Sequence, residues 1–344
     1  MRLLLITVHR LLLIITLLYG LSIGLLALLW HNEIRYRWWL ELSNIFAPYL
    51  FLPLLLLIPL AILLPSRLFR STVVGIVIVF LVICGPWFVP SGADTPPGDR
   101  QLRVLTFNVL YTNQQTDAII ETVRMHDADV IGFQELTSPV ASVIEQELGH
   151  VYPYRLFESP SGTWDIGMMS RYPIIAVEPA RGQRWQQVRL DVEGQPVTFI
   201  NVHLAQPHLE LRALPIIHKS VIIRNYNTEY RMQGILPLLD VVDAVQEPLI
   251  MLGDFNMSDR EQVYSMFAHR LHDAHARTAW GSGATFPTRE KRIRRVPIPF
   301  PLVRIDYVWS GNGVVPISST TRCDSAGSDH CLIVADLSLS DRSP

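Results

Sequence analysis

The N-terminal quarter of the chain is dominated by three apolar runs, and each is long enough to cross a membrane. The runs cover residues 11–30, 45–64 and 72–89. A helix of about 20 residues, rising about 1.5 Å per residue, spans about 30 Å of hydrocarbon. Such unbroken apolarity is a requirement of helices that lie in lipid. The pattern therefore predicts three transmembrane helices.

Two other interpretations of the apolar runs fit the sequence less well. Arg2 and Arg10 could form the charged start of a cleaved secretory signal. Two further apolar runs follow at once, however, without a convincing small-residue cleavage site between them. A soluble helical core would not need runs that are apolar all round. We therefore favour membrane helices.

Basic residues in the short loops favour a cytoplasmic N-terminus. Three crossings would place the N-terminus and the large C-terminal region on opposite sides, and each side carries four basic residues near the membrane. The shortest loop, residues 65–71, carries Arg67 and Arg70 and no acidic residue. The positive-inside rule places such a loop in the cytoplasm. The prediction is a multi-pass protein of the cell membrane, with residues 102–344 outside the cytoplasm.

After a Pro- and Gly-containing linker at residues 91–101, short β-rich runs alternate with helix-like stretches. The predicted strands are 102–107, 129–134, 166–170, 197–202, 248–253, 304–310 and 331–339. The predicted helices are 114–127, 138–148, 208–246, with breaks considered at Pro215 and Pro237, and 259–270. Several strands are apolar throughout, as strands covered on both faces must be. Residues 102–344 are thus predicted to form one α/β domain with packed sheets in its middle.

Charge and cysteine content limit the partners of this domain. Residues 100–344 contain 23 basic and 27 acidic residues, a net charge of −4. This balance argues against a general nucleic-acid-binding surface. Cys323 and Cys331 could pair in an oxidising compartment. Cys331 opens the apolar run CLIVADL, however, and is expected to be a small core residue.

Polar side chains recur at the ends of the predicted strands. They are Asn108, Glu135, His203, Asp254, Asn256, Asp306, Ser328, Asp329 and His330. A turn or a helix cap would explain any one of them. It does not explain the whole set, which places carboxylates in otherwise apolar strands, where an unpaired charge is costly. The recurrence predicts a shared site for a metal ion and an anion.

Six motifs carry these residues in the order TFNVL, FQEL, NVHLA, GDFN, RIDYV and SDHCLI. In this order they closely resemble the endonuclease/exonuclease/phosphatase superfamily of metal-dependent phosphoesterases. The resemblance covers roughly residues 102–339. It implies a four-layer α/β sandwich, with two mixed β-sheets flanked by helices and, in this chain, preceded by the three transmembrane helices.

The resemblance also implies a metal site and a base. Glu135 resembles the principal Mg²⁺ ligand, Asn108 resembles its neighbour in the metal shell, and Asp329 is assigned to the same shell. Carboxylate and amide oxygens suit Mg²⁺, and Mn²⁺ is a possible substitute. Asp254 resembles the carboxylate that activates water, and Asn256 resembles the residue that orients the phosphate or the nucleophile.

Two histidines resemble those that flank the scissile phosphate. They are His203 and His330, with Asp306 or Asp329 expected to hold an imidazole in the required tautomer and favour its cationic form. A cation beside a phosphoryl group stabilises the charge that grows in the transition state.

The sequence departs from the family pattern beside the first histidine. Val202 stands where threonine is most often written, a change expected to affect packing more than chemistry. The acidic partner of this histidine is not obvious, and Asp165 and Glu158 are the candidates. Arg171 ends an SR pair that is common in the family, and a purely structural role for it is equally compatible with the sequence.

The superfamily indicates the reaction and not the substrate. The membrane tether favours a lipid-linked phosphate, and residues 289–303 add a basic run followed by an apolar, proline-rich run. We therefore predict a membrane-anchored, Mg²⁺-dependent phosphoesterase that hydrolyses a lipid headgroup phosphate by metal-assisted in-line attack of water. The lipid would be of the cell-envelope, GPI or sphingomyelinase-substrate type. The alternatives are a tethered endonuclease or exonuclease acting on extracellular nucleic acid, and a non-catalytic binding module.

Overall fold

The computed structural model describes residues 2–32, 37–92, 100–158, 166–178, 184–214, 220–289, 292–293 and 296–339. Two compact units divide the chain. One consists of Met1–Val89 and Leu209–Tyr226, and the other of Pro90–His208 and Asn227–Pro344. Most of the predicted linker, residues 93–99, lies outside the described residues.

The first unit contains the apolar helices. They are α1 (Arg2–His31), α2 (Trp38–Ile45), α3 (Ala47–Leu50), α4 (Leu54–Leu63) and α5 (Arg67–Cys84), and a short 3₁₀ turn, Gly85–Phe88, follows. Two segments, Ile6–His31 and Arg67–Phe88, are long and apolar enough to cross a membrane. A third span is counted only if the bent pair Trp38–Ile45 and Ala47–Leu63 is taken as one.

The predicted middle span, 45–64, is therefore broken rather than continuous. Within it α3 and α4 are separate helices, and the 77° bend lies at its start, between Trp38–Ile45 and Ala47–Leu63. Pro48 lies in the first turn of α3, and Pro53 immediately precedes α4. Proline lacks a backbone N–H and cannot continue the preceding helix, so each of these residues begins a new helix.

In its described residues the second unit contains most of the strands and five helices. These helices are α6 (Thr116–His126), α7 (Ser138–Leu148), α8 (Glu229–Ala244), α9 (Gln262–Ala268) and α10 (Ala274–Thr278). The strands found among the described residues of the chain are β1 (Arg100–Asn108), β2 (Val130–Gln134), β3 (Tyr154–Glu158), β4 (Ile166–Ser170), β5 (Ile174–Glu178), β6 (Trp185–Val192), β7 (Gln195–His203), β8 (His208–Leu214), β9 (Ser220–Asn227), β10 (Leu249–Asp254), β11 (His272–Asp273), β12 (Arg292–Ile293), β13 (Val296–Pro297), β14 (Asp306–Gly311), β15 (Val314–Arg322) and β16 (Leu332–Leu339).

Two mixed six-stranded sheets form the centre of the second unit. The first has the spatial order β15-β16-β1-β2-β4-β3, and the second has the order β11-β14-β10-β7-β6-β5. In the first sheet β1 runs parallel to β2 and antiparallel to β16. In the second sheet β10 runs parallel to β7 and antiparallel to β14. The carboxyl ends of the central parallel strands therefore come together within each sheet.

Alternation along the strands produces the layers. On β1, Val104 packs into the core between the sheets, whereas Leu105 and Phe107 pack into a separate core that also contains Ile119 of α6 and Ile144 of α7. The second sheet is covered in the same way by α8 and α9. Successive side chains of a strand point to opposite faces, so each central strand contributes to two cores. The predicted four-layer α/β sandwich is confirmed.

A buried polar network crosses the space between the two sheets. The amide nitrogen of Gln134 donates to Oδ1 of Asn201 at 2.7 Å. Asn201 in turn donates to the backbone oxygens of Phe133 and Gly167 at 3.0 and 2.9 Å. Buried amides must be satisfied, so this network specifies how the sheets are aligned. Both Gln134 and Asn201 lie one or two residues from a predicted site residue, Glu135 or His203.

The predicted helix 208–246 is wrong over its first half. Strands β8 and β9 form a separate two-stranded hairpin, and the helix begins only at Glu229. Val221, Ile222 and Ile223 are consecutive β-branched residues, which favour strand over helix. Pro237 lies inside α8 and does not end it.

Candidate active site

Asp254 and Asn256 are fixed by the tight turn that follows β10. Oδ1 of Asp254 accepts a hydrogen bond from the backbone N–H of Asn256 at 2.8 Å, which is the arrangement of an Asx turn. Asn256 has φ 48°, in the left-handed region that asparagine tolerates well. Its amide nitrogen donates to the backbone oxygen of Leu204 at 3.0 Å and to Oδ2 of Asp254 at 3.2 Å. Both amide hydrogens of Asn256 thus hold the turn and its carboxylate.

Glu135 follows β2 and reaches the same place from the other sheet. It has φ 56°, an uncommon value for a residue that is not glycine. Its Oε2 accepts from the backbone N–H of Tyr111 at 3.0 Å, and its Oε1 accepts from the amide of Asn108 at 3.2 Å. A left-handed residue held by two hydrogen bonds is typical of functional sites.

Asn108 joins the two sheets at the site. Its amide nitrogen donates both to Glu135 and, at 3.0 Å, to Oδ2 of Asp254. Its Oδ1 accepts from the backbone N–H of Leu110 at 3.1 Å. In this arrangement Asn108 presents N–H groups to the carboxylates, and a rotation of the amide would be needed to offer its oxygen to a cation.

The two predicted histidines lie on either side of Asp254. Nε2 of His203 lies 3.8 Å from Oε1 of Glu135 and 3.9 Å from Oδ2 of Asp254. Nε2 of His330 lies 3.8 Å from the same Oδ2. On its other side, Nδ1 of His330 lies 3.0 Å from Oδ2 of Asp306. Of the two acids that the sequence offered as partner of an imidazole, Asp306 is the one hydrogen bonded to His330.

Burial and charge give the two histidines opposite protonation states. Burial, with smaller effects from the charges of Arg184 and His330, lowers the pKa of His203 to about 3. Burial also acts to lower the pKa of His330, but the charges of Asp306 and Asp254 and the hydrogen bond to Asp306 outweigh it and raise that pKa to about 10. At neutral pH His203 is therefore neutral and His330 is cationic.

Asp254 is the most strongly perturbed carboxyl group of the site. Its side chain is fully buried, and burial together with the charge of Asp306 raises its pKa, while His330, Asn256 and Asn108 act in the opposite direction. A carboxyl group whose pKa is moved toward neutrality is suited to accept a proton from water.

The loop that carries Asp329 and His330 is anchored on several sides. Oγ of Ser328 donates to the backbone oxygen of Asn108 at 2.6 Å and accepts from the backbone N–H of His330 at 3.0 Å. The backbone oxygen of Asp329 accepts from the N–H of Thr288 at 2.9 Å. The buried side chain of Asp329 also acts to raise the pKa of His330.

A disulfide closes this loop. Cys323 and Cys331 are joined, eight positions apart, with Cys331 immediately following His330. Of the two alternatives that the sequence offered, the pairing of Cys323 with Cys331 is the one found, and the favoured one, a small core residue at position 331, holds only in that Cys331 is buried. The apolar run after Cys331 signalled its burial and could not decide between the two.

Other sequence candidates lie elsewhere. Asp165 falls outside the described residues. Glu158 ends β3 at the edge of the first sheet, where burial raises its pKa and a hydrogen bond from Gln186 opposes the shift. Arg171 pairs with Asp127 and Asp129, which is a structural role.

Several supporting residues were missed at the sequence level. Oγ1 of Thr285 accepts from the backbone N–H of Asp306 at 3.3 Å, and the ring of Phe286 lies 4.9 Å from that of His330. Arg231 donates to the backbone oxygen of Asn256 and pairs with Glu261. Only Glu261 carried a signal, since it stands three residues after Ser258, the spacing of a capping box.

The cluster has the composition of a divalent-cation site. One atom each from Asp254, Asp306 and His330 lies within 4.8 Å of the others, and because a cationic imidazole cannot bind a metal, the two carboxylates are the ligands that this group offers. The amide of Asn108 joins buried Glu135 to Asp254, and buried Asp329 precedes His330, so several buried carboxylates share the site. Concentrated buried negative charge is stabilised by a metal ion, and oxygen-rich ligands fit the residues present.

Comparison with known proteins agrees with this geometry. The family model described as "Endonuclease/Exonuclease/phosphatase family" matches residues 105–330. No curated protein matches the chain in sequence. A solved family protein of Bacteroides thetaiotaomicron is similar in fold, with 16% identity, 72% of this chain and 100% of that chain covered, and a TM-score of 0.54.

Two further solved structures have the same fold. One is D. rerio TDP2 complexed with a single-stranded DNA product, with 15% identity, 70% of this chain and 99% of that chain covered, and a TM-score of 0.52. The other is a mannosyl-6-phosphatase of Bacteroides thetaiotaomicron, with 17% identity, 69% and 99% covered, and a TM-score of 0.51. The chain belongs to the endonuclease/exonuclease/phosphatase family and is a hydrolase of phosphate ester bonds.

Proposed function

We propose that this protein is a membrane-anchored, Mg²⁺-dependent phosphoesterase that hydrolyses a lipid-linked phosphate. The observation that carries the proposal is the placement of fully buried Asp254 between a neutral and a cationic histidine. That arrangement offers a proton acceptor and a positive charge on the two sides of one small space. Both are needed when water attacks a phosphate ester.

In this proposal Asp254 accepts the proton of the attacking water. Asn108 and Asn256 hold its carboxylate by hydrogen bonds at 3.0 and 3.2 Å. Direct donation from Asn256 to the phosphate stays a prediction, since both of its amide hydrogens would first have to leave their present acceptors.

The cationic His330, oriented by Asp306, stabilises the negative charge that develops on the phosphoryl oxygens. A hydrogen bond at Nδ1 fixes the imidazole so that Nε2 faces the site. His203 remains neutral and can donate or accept one hydrogen bond to the substrate or water. These roles parallel those of a base, an electrostatic stabiliser and a positioning group in phosphoryl transfer.

Glu135 would hold the metal ion, with Asn108 and Asp329 as further candidates and Mn²⁺ as a possible substitute for Mg²⁺. A bound ion would supply Lewis-acid stabilisation of the charge on the phosphoryl oxygen. An opposite charge close to Asp254 would favour its ionised form. That effect would keep Asp254 in the form able to accept a proton.

The apolar helices support membrane anchoring and a lipid substrate. Ile6–His31 and Arg67–Phe88 are suited to span a bilayer, and a tether of this kind raises the effective concentration of lipid headgroups at the site. The disulfide between Cys323 and Cys331 supports an oxidising, extracytoplasmic compartment for the catalytic domain. We therefore propose a cytoplasmic N-terminus, with the domain of residues 102–344 outside.

A substrate panel tests this function. The full chain, purified in mild detergent with Mg²⁺, is offered phosphate-containing lipids and plasmid DNA, with Asp254→Ala and His203→Ala as inactive variants. Asp243→Ala and His150→Ala are matched controls, because both side chains are exposed. Hydrolysis of lipid by wild type and controls supports the proposal. Nicking of DNA alone would favour the nuclease, and equal behaviour of all five proteins would favour a non-catalytic module.

Reporter fusions test the membrane orientation. Alkaline phosphatase is active only outside the cytoplasm. Green fluorescent protein fluoresces when it remains in the cytoplasm and does not fluoresce after export by the general secretory route. An active phosphatase fused after residue 344 is expected. A fluorescent fusion with an inactive phosphatase would reverse the proposed topology.

A further inference from the structure

The hairpin formed by β8 and β9, residues 208–227, has no role in the site described above. It begins five residues after His203 and ends two residues before α8. Its two strands pair only with each other within the described part of the chain. A lone two-stranded hairpin is marginally stable in water and needs a surface to pack against.

One cross-strand contact assigns the faces of the hairpin. The amide of Asn225 donates to Oε1 of Glu210 at 3.4 Å, which places these side chains on the same face. Neighbouring residues of a strand point to opposite faces. The second face therefore carries Leu209, Leu211 and Ile222 together with Arg224 and Tyr226, whereas Ile223 lies on the first face.

The aliphatic side chains of this second face are exposed, and exposed Arg224 lies among them, whereas Tyr226 is buried. The side chains of Leu209, Leu211 and Ile222 are 43%, 59% and 42% exposed, respectively. Three large aliphatic groups on one face of a thin element exceed the scattered exposure that is normal for single residues. They form an apolar surface that is suited to burial against a protein or a lipid bilayer.

The charge of the hairpin distinguishes it from the rest of the domain. Residues 208–227 contain Arg212, Lys219 and Arg224 against one acid, Glu210, a net charge of +2. Residues 100–344 as a whole carry 23 basic and 27 acidic residues. An apolar face with adjacent basic residues is complementary to a bilayer with anionic headgroups, because arginine keeps its charge at the headgroups while aliphatic groups enter the interface.

The apolar helices of the same compact unit are a reason to expect a bilayer close to the hairpin. The hairpin residues Leu209–Tyr226 belong to the same compact unit as the helices that are suited to span a membrane. We infer that the hairpin docks on an anionic lipid surface through Leu209, Leu211 and Ile222. The inference rests on the membrane anchoring of the proposed function and adds a second, separate point of lipid contact.

A fluorescent probe at the hairpin tests the contact without any measurement of activity. The full chain carrying Cys84→Ala and Leu211→Cys is labelled with the fluorophore NBD and reconstituted into vesicles of phosphatidylcholine and phosphatidylglycerol. We expect a blue-shifted emission that is quenched at least twofold by nitroxide-labelled lipid. The matched control is Val143→Cys on the exposed side of α7, whose emission should be neither shifted nor quenched.

Several outcomes would overturn the inference. One is a probe at position 211 that behaves like the probe at position 143. Another is a blue shift that grows with protein concentration in detergent without lipid, because it would indicate that a second copy of the chain covers the hairpin. A third is equal quenching in vesicles with and without phosphatidylglycerol, since it would remove the role of Arg212 and Arg224.

A second variant links the contact to catalysis and keeps the two proposals distinguishable. Leu209→Thr with Leu211→Thr retains strand propensity and removes the apolar face. We expect hydrolysis of vesicle-borne lipid phosphate to fall at least fivefold, with hydrolysis of soluble bis(p-nitrophenyl) phosphate unchanged. Equal loss on both substrates would contradict a docking role. If no lipid is hydrolysed by wild type, the substrate proposal fails, whereas the NBD result still decides the docking.

Discussion

Arg231 and Glu261 form an ion pair that is almost completely buried next to the turn that carries Asp254. The guanidinium group also donates to the backbone oxygen of Asn256, and Glu261 accepts from the backbone N–H of Ser258 at 2.6 Å. Arg231, in α8, thus holds the turn at Asn256. Glu261, which immediately precedes α9, holds the chain just after the turn at Ser258. It acts on the site through the backbone and not through the substrate.

We expect that breaking this pair on one side destabilises the protein strongly. Arg231→Met leaves the carboxylate of Glu261 buried without its partner, a loss of about 3–5 kcal/mol. Removing both partners, with Glu261→Met added, should cost less than the single change, because no uncompensated charge is left. Denaturant unfolding of the full chain in detergent, followed by the fluorescence of buried Trp309, measures the difference.

The exposed pair Arg270 and Asp243 provides the control. It joins α8 to the residues after α9 in the same part of the fold, but both side chains are substantially exposed. Arg270→Met should leave the unfolding midpoint close to that of wild type. A single Arg231→Met variant as stable as Arg270→Met would contradict the assigned role.

The sequence predicts the turn that carries Asp254, but it does not reveal that the ion pair of Arg231 and Glu261 supports it. The motif GDFN follows an apolar strand, so the pattern places Asp254 and Asn256 at a strand end. Arg231 lies in a helix between Tyr230 and Met232, and nothing in its local sequence distinguishes a buried arginine from an exposed one. Its burial depends on how α8 packs against the second sheet, which is a tertiary property.

The errors in the predicted secondary structure also arise because tertiary packing is not visible in a local sequence pattern. Periodicity alone assigned 208–227 to a helix, whereas its β-branched residues lie in the paired strands β8 and β9. Strand β6 was not predicted, although its alternating burial is visible once the structure is known. Each motif is local, so the sequence could identify the residues of the site. The pairing of strands such as β10 with β7 brings the motifs together, and this pairing is a tertiary property.

Gly253 is a position where even one methyl group should disrupt the site. Its φ is 143°, and a Cβ there would lie 2.0 Å from the backbone oxygen of Val202. Gly253→Ala must therefore separate β10 from β7 beside Asp254 and His203. We expect a lower melting temperature and at least a tenfold loss of kcat.

Gly234→Ala is the matched control for this change. Its Cβ would meet only the side chain of Leu204 at 3.5 Å, an ordinary contact, and it lies within α8. Alanine is favoured over glycine in a helix by about 1 kcal/mol. The control should be as stable as wild type or more so. If Gly253→Ala behaved in the same way, the close approach of the two strands would not be needed for the site.

Removal of divalent cations should lower stability as well as activity. Buried Glu135, Asp254 and Asp306 repel one another, and a bound cation relieves that repulsion in the folded state only. After treatment with EDTA, addition of Mg²⁺ at a concentration 100 times its Kd should stabilise the protein by about 2.7 kcal/mol. Thermal unfolding followed by fluorescence is the measurement.

Glu135→Gln tests whether this stabilisation arises at the proposed site. The variant should lose most of the Mg²⁺-dependent rise in melting temperature. Glu145→Gln, at an exposed carboxylate of α7, should retain it. A rise that is equal in both variants would place the responsible cation elsewhere.

The pH dependence of kcat should report the pairing of His330 with Asp306. A charge of opposite sign raises the pKa of His330, so its cationic form persists below about pH 10 and is lost above it. Asp306→Asn removes that charge and should move the alkaline limb of the kcat profile to lower pH. Asp259→Asn is a control outside this pair. An alkaline limb unchanged by Asp306→Asn would show that the limb does not arise from His330.

The disulfide should hold the loop of Ser328, Asp329 and His330 in place. Closing a loop of about nine residues removes chain entropy from the unfolded state worth about 2.5 kcal/mol. Cys323→Ala with Cys331→Ala is therefore expected to lower the free energy of unfolding by about that amount. It should also reduce kcat, because the loop contributes the cationic histidine and Cys331 adjoins it.

Reduction of wild type should reproduce the effect, and Cys84→Ala should not, since Cys84 lies in the apolar helix α5 and takes no part in the disulfide. The doubly substituted protein should no longer respond to dithiothreitol, which separates loss of the disulfide from other effects of the reductant. If wild type kept full stability and kcat after complete reduction, the hydrogen bonds of Ser328 and Thr288 would suffice to hold the loop. Because a thiol pair stays reduced in the cytoplasm, a reduction-sensitive enzyme would also have to work on the outer side of the membrane.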